Sequence, residues 1–157
     1  MASLVCLPSF EPEWALLIAG ERKTAFSVLL TEVGENTWYR ALKKEVPSSS
    51  AVPQMHQSRL PMERAEAICD IWRKILSRTR YPKESQMGCD GVSYHFAYCG
   101  FGNLLAGKTW SPEETSVPGK LVALGGALSD FVRDPANQDV FLSVIDEHLA
   151  WFAAHSN

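Results

Sequence analysis

Trp14-Ala15-Leu16-Leu17-Ile18 and Phe26-Ser27-Val28-Leu29-Leu30, on either side of Gly20-Glu21-Arg22-Lys23, decide the fold. Side chains alternate across a strand, so Trp14, Leu16 and Ile18 share one face of the first segment, and Phe26, Val28 and Leu30 share one face of the second. The intervening residues suit a short turn, and short turns join antiparallel neighbours. Gly34-Glu35-Asn36 is a further turn. Thr37–Lys44, with β-favouring Trp38 and Tyr39, reads as a third strand, giving a three-stranded meander.

Downstream, Asp90-Gly91 opens a strand in which Val92, Tyr94, Phe96 and Tyr98 share one face. A glycine-rich stretch, Gly100–Gly107, leads to Lys108-Thr109-Trp110-Ser111 as the return strand of a hairpin. Helices separate and follow these strands. The first starts at Pro61 and repeats Ala65, Ile68, Trp72, Ile75 and Leu76 at helical spacing through Arg80. The others cover about 119–133 and 136–154. Strand runs broken by single helices point to an α+β fold, with an antiparallel sheet of about five strands covered by about three helices.

The 157 residues make one domain, 1–157, of a size that buries an ordinary core. Residues 46–59, with two prolines and Ser48-Ser49-Ser50, read as a long flexible connection. Apolar residues at 46% and charged residues at 21% exclude a disordered chain. No apolar run approaches the length of a bilayer span, so no membrane partner is expected. Met1–Pro8 lacks the basic start and apolar stretch of a secretion signal, and the chain is expected in the cytoplasm. The four cysteines form no Cys-x-x-Cys pair and read as reduced small hydrophobes.

The formal charge of −3 argues against nucleic acid as the partner. Its distribution says more. Residues 1–112 are net +2, whereas residues 113–157 are net −5, with Asp130, Asp134, Asp139, Asp146 and Glu147 concentrated on the last two helices. Such a face steers a protein partner with a basic surface. Conversely, Arg73, Lys74, Arg78, Arg80 and Lys83 cluster at the end of the first long helix beside Trp72 and Tyr81. Cations are favoured at any helix C-terminus, and an anion-binding patch is the other reading.

Gly102-Asn103-Leu104-Leu105-Ala106-Gly107-Lys108-Thr109 satisfies the P-loop pattern G-x-x-x-x-G-K-[ST], in which Lys108 would reach a terminal phosphate and Thr109 a magnesium ion. A P-loop requires a helix that starts at the lysine, and Pro112 and Pro118 oppose one there. A nucleotide-binding enzyme acting through Gly102, Gly107, Lys108 and Thr109 is therefore the alternative reading. His95 and Cys99 lie about 13 Å apart along one strand, too far for a nucleophile–base pair. No catalytic residue, metal ligand or cofactor is assigned. Gly125-Gly126 within an apolar helix implies close approach of a neighbouring element or a break in the helix.

Trp72 with Arg78-Thr79-Arg80-Tyr81-Pro82, Asp90-Gly91-Val92-Ser93-Tyr94-His95-Phe96, Thr109-Trp110-Ser111-Pro112 and Leu121-Val122-Ala123-Leu124 resemble a group of small bacterial α+β proteins without an established activity. The resemblance spans about a third of the chain and implies the fold rather than a reaction. Similar small, acidic, single-domain bacterial proteins often act as immunity partners of secreted toxins. By that analogy the chain is expected to be a non-enzymatic protein-binding module.

Overall fold

Seven residues at the N-terminus, Ala2–Pro8, form the strand (β1) around which the sheet is built. The computed structural model describes residues 1–21, 25–44, 52–80, 90–100 and 102–155. β1 pairs antiparallel with β2 (Trp14–Glu21) on one side and with β5 (Val92–Gly100) on the other. β3 (Ala25–Glu32) and β4 (Gln54–Leu60) extend the sheet beyond β2, and β6 (Asn103–Trp110) extends it beyond β5. The order is β4-β3-β2-β1-β5-β6, antiparallel throughout. Gly102, at φ 75°, makes the tight β5–β6 turn.

The α+β class and the antiparallel pairing of β2 with β3 and of β5 with a return strand follow the sequence reading; β6 starts at Asn103, so most of Gly100–Gly107 is strand rather than loop, and three further local expectations are corrected. Among the described residues the sheet has six strands rather than about five, and there are four α-helices rather than about three. Thr37–Leu42 is a helix (α1), not a third strand. Glu13 accepts the Thr37 N–H at 3.0 Å, and the Asn36 side-chain amide donates to the carbonyls of Pro8 and Glu11. These bonds fix the start of α1 against the turn that follows β1. The partner of β3 is instead β4, inside the stretch expected to be a flexible connection over 46–59. Of that stretch, residues 46–51 lie outside the described residues.

Strand alternation divides the sheet into a helical face and an open face. Leu4, Leu16, Ile18, Val28 and Leu30 are fully buried on the helical face. Two long helices, α2 (Met62–Ser77) and α3 (Val117–Arg133), cross it. Trp72 of α2 is completely buried, packs edge-on against Phe96 at 5.8 Å, and donates its indole N–H to the Ser3 carbonyl at 3.2 Å. Ser116 caps α3 by accepting the Gly119 N–H. At its far end Arg133 donates to Glu32 of β3 at 2.7 and 3.0 Å.

Asp134 then caps a short 3-10 turn (135–137) that leads into α4, Gln138–His155. α4 packs on α3 and α2 through buried Ile145 and Phe152, and Gln138 donates to Ser58 of β4 at 2.9 Å. Among the described residues, no helix is long and apolar enough to cross a membrane.

Candidate functional site: a basic groove between two helix ends

The C-terminal ends of α2 and α4 converge above edge strand β6, next to the first turn of α3. They leave a cavity of about 390 Å³, within the range of small-ligand sites. Its floor is apolar, formed by Ile75 and Leu76 of α2, Phe96 of β5, Leu121 of α3, and Trp151 and Phe152 of α4. Gly107 keeps the floor open on the sheet side. A Cβ there would stand 2.9 Å from Leu76 Cδ2 and 3.2 Å from Thr79 Oγ1.

The mouth is cationic. Lys108 of β6 borders it; from the end of α2, Lys74, Arg78 and Arg80 line it, and no carboxylate does among the described residues. None of the three takes part in an ion pair among the described residues, although Arg80 Nη1 donates to the Thr79 carbonyl. On the opposite wall His155 stacks on the Trp151 ring, with centroids 4.4 Å apart and planes 11° from parallel. Lys120 Nζ lies 5.9 Å from that ring. Together these residues present hydrogen-bond donors and positive charge over an aromatic and aliphatic floor. That combination suits an anionic head carried on an apolar body.

Part of the basic cluster read from sequence therefore meets here. Arg73 does not join it, because that side chain turns to Asp70 at 3.2 Å, and Tyr81 and Lys83 lie outside the described residues. Trp151 and His155 carried no signal, since nothing local in α4 shows that its last turns meet those of α2.

Residues Gly102 to Thr109 run from the β5–β6 turn into β6. Alternation sends Lys108 to the open face, where it pairs with His95, and Gly107 and Thr109 to the helical face. Burial and then the Lys108 charge hold the His95 pKa below its ordinary value. No helix begins at Lys108, since the next one, α3, starts at Val117. A strand of this kind forms no backbone cradle ahead of a helix.

The five C-terminal carboxylates are not equivalent. Asp130 pairs with Arg133 at 3.1 Å, and Asp134 is occupied in capping Ala136 and Asn137. Asp146 is engaged by Arg64 of α2, whose hydrogen bonds hold the carboxyl below its usual range. Asp139 and Glu147 stay exposed on α4.

Cys6 is buried, and desolvation pushes its thiol up to about 12, reinforced by nearby Glu11. Cys99 is exposed on the open sheet face, and Cys89 lies outside the described residues. Among the described residues, no three His, Cys, Asp or Glu side chains are grouped so as to hold a metal ion. Comparisons of the chain with protein-family models, with curated proteins and with solved structures found no match.

Proposed function

We propose that the protein is a non-enzymatic binding module whose site is the α2–α4 groove and whose occupant is an anionic amphipathic small molecule. One observation carries this reading: Lys74, Arg78 and Arg80 converge, with no carboxylate partner among the described residues, on an apolar cavity large enough for a small ligand. Ion pairing at the mouth orients the head group, and burial of the body against Phe96, Leu121 and Trp151 supplies affinity.

The test is thermal unfolding with octanoate, octyl phosphate and octanol. A ligand at about 100 times its dissociation constant stabilises the native state by about 2.7 kcal/mol. At this chain length that raises Tm by several degrees. The two anions are expected to produce the shift and octanol is not. Lys74→Glu combined with Arg78→Glu should abolish it. An equal response from the reversed variant sinks the reading. ATP with and without magnesium belongs in the same panel, since the nucleotide alternative requires magnesium-dependent binding that is lost in Lys108→Ala and survives reversal of Lys74 and Arg78.

A second reading, a protein partner with a basic surface, is favoured by α4. Val140, 60% exposed, lies one heptad before Glu147 and next to Asp139. Converting Asp139 and Glu147 to lysine would weaken such a complex and leave anion binding in the groove intact. A toxin–immunity pairing would be of this second kind.

A further inference from the structure

Among the described residues, the long helices leave the other face of the sheet uncovered. The ladder registers align three rows of outward-facing side chains, two across all six strands and the third across every strand but β1, where Met1 stands and its ammonium donates to the Cys99 carbonyl. The middle row runs Gln57, Leu29, Leu17, Ser3, Ala97, Ala106 from β4 to β6. The row on one side begins at Met55 and ends at Lys108, and the row on the other begins at Arg59 and ends at Leu104. These three rows contain no carboxylate, and their Lys and Arg residues occupy diagonally opposite corners. Met55 and Leu104, at the other two corners, are 71% and 74% exposed.

We infer that this face binds a second copy of the chain, related by a two-fold axis parallel to the strands and running between β1 and β2. Such an axis reverses each row against itself. Leu17 then sits over Ser3 of the second copy, Leu29 over Ala97, Gln57 over Ala106, and Val5 over Ala15. Large side chains meet small ones at every one of these positions, the interdigitation that face-to-face sheets require. The same rotation lays Lys108 over Met55 and Arg59 over Leu104. The cationic stems cover the two most exposed apolar side chains of the face, and no like charges meet.

A two-fold axis perpendicular to the strands instead sets Leu17 on Leu17 and Leu29 on Leu29, which holds the sheets apart. Six strands about 4.8 Å apart, and three rows about 6.8 Å apart, give a face of about 580 Å². Two such faces bury more than about 1,100 Å², at the lower end of specific interfaces. The dimer is accordingly expected to be weak, dissociating in the range of about 10–100 μM.

Sedimentation velocity of the full chain across about 1–500 μM tests this. The expected result is a monomer that doubles in mass as concentration rises. Leu17→Glu and Ser3→Lys should each remain monomeric, with melting curves confirming that they fold. An equimolar mixture of the two should recover a heterodimer, because the substituted positions face each other about the strand-parallel axis. A wild-type chain that stays monomeric throughout overturns the proposal and leaves the face to solvent or to a different partner. Undiminished dimerisation of both variants overturns it as well, by placing the contact elsewhere.

Discussion

Arg64 of α2 and Asp146 of α4 meet in a two-pronged ion pair, Nε to Oδ1 at 2.7 Å and Nη2 to Oδ2 at 2.6 Å. It ties the last helix to the first long one across 82 residues of sequence. Both side chains are accessible to water, so the pair is a modest source of stability. A double-mutant cycle with Arg64→Ala and Asp146→Ala should give a coupling of about 0.2–1 kcal/mol that shrinks with added salt. The carboxyl is held below its ordinary pKa in the folded state. Its contribution is therefore present above the unfolded-state value and is lost as pH falls through the folded one.

Gly125 and Gly126 separate under one substitution. A Cβ on Gly125 would stand 2.3 Å from Leu4 Cδ2, at a completely buried point of the core, whereas one on Gly126 meets nothing within 4 Å. Gly125→Ala should destabilise the fold by about 1–3 kcal/mol. Gly126→Ala should stabilise it by about 0.4–1 kcal/mol through helix propensity. Urea melts of the two variants check this, and similar midpoints would contradict the close packing of α3 on β1.

Ser129 offers the reverse case. It is completely buried in α3, and its hydroxyl is without a hydrogen-bond partner among the described residues. Removing an unsatisfied hydroxyl relieves its desolvation penalty at little cost in packing, so Ser129→Ala should raise stability by about 1 kcal/mol. A fall in Tm would show that the hydroxyl is satisfied in solution.

Cys6 sets an alkaline limit. Its thiol is raised to about 12 by burial, and it shares a hydrogen bond with Tyr94, whose phenol is raised as well, chiefly by burial. An unfolded thiol ionises near pH 8.5. The folded state therefore keeps a proton that the unfolded state releases, and stability should decline as pH rises from about 9 towards 12. Denaturation midpoints across that interval should fall less steeply in Cys6→Ala. Alkylation at pH 8 should spare Cys6 until the chain unfolds, while exposed Cys99 reacts.

The legible parts of the fold were those in which each residue's position repeats a local rule. β2, β3 and β5 show strand alternation, and α2, α3 and α4 show helical spacing. β4 was hidden because an edge strand buries little, and only Ser58 and Leu60 of its seven residues face the core. α1 has the composition of a strand because Trp38 and Tyr39 favour strands, while its position is set by Glu13 and Asn36 bonds absent from its own sequence. The groove was half legible. Lys74, Arg78 and Arg80 are close in sequence, but Trp151 and His155 reach them only through the packing of α4.

The place of β1 at the middle of the sheet has a temporal consequence. Val5 lies opposite His95, so β1 waits for a partner made about 90 residues later. The β2–β3 hairpin can close as soon as it leaves the ribosome, but the two halves of the sheet join only when β5 arrives. Until then Leu4 and Cys6 lack part of their final cover, and a nascent chain is exposed to wrong pairings along that edge. Pausing translation before residue 92 would lengthen that exposure, and a holdase chaperone would find its binding site there.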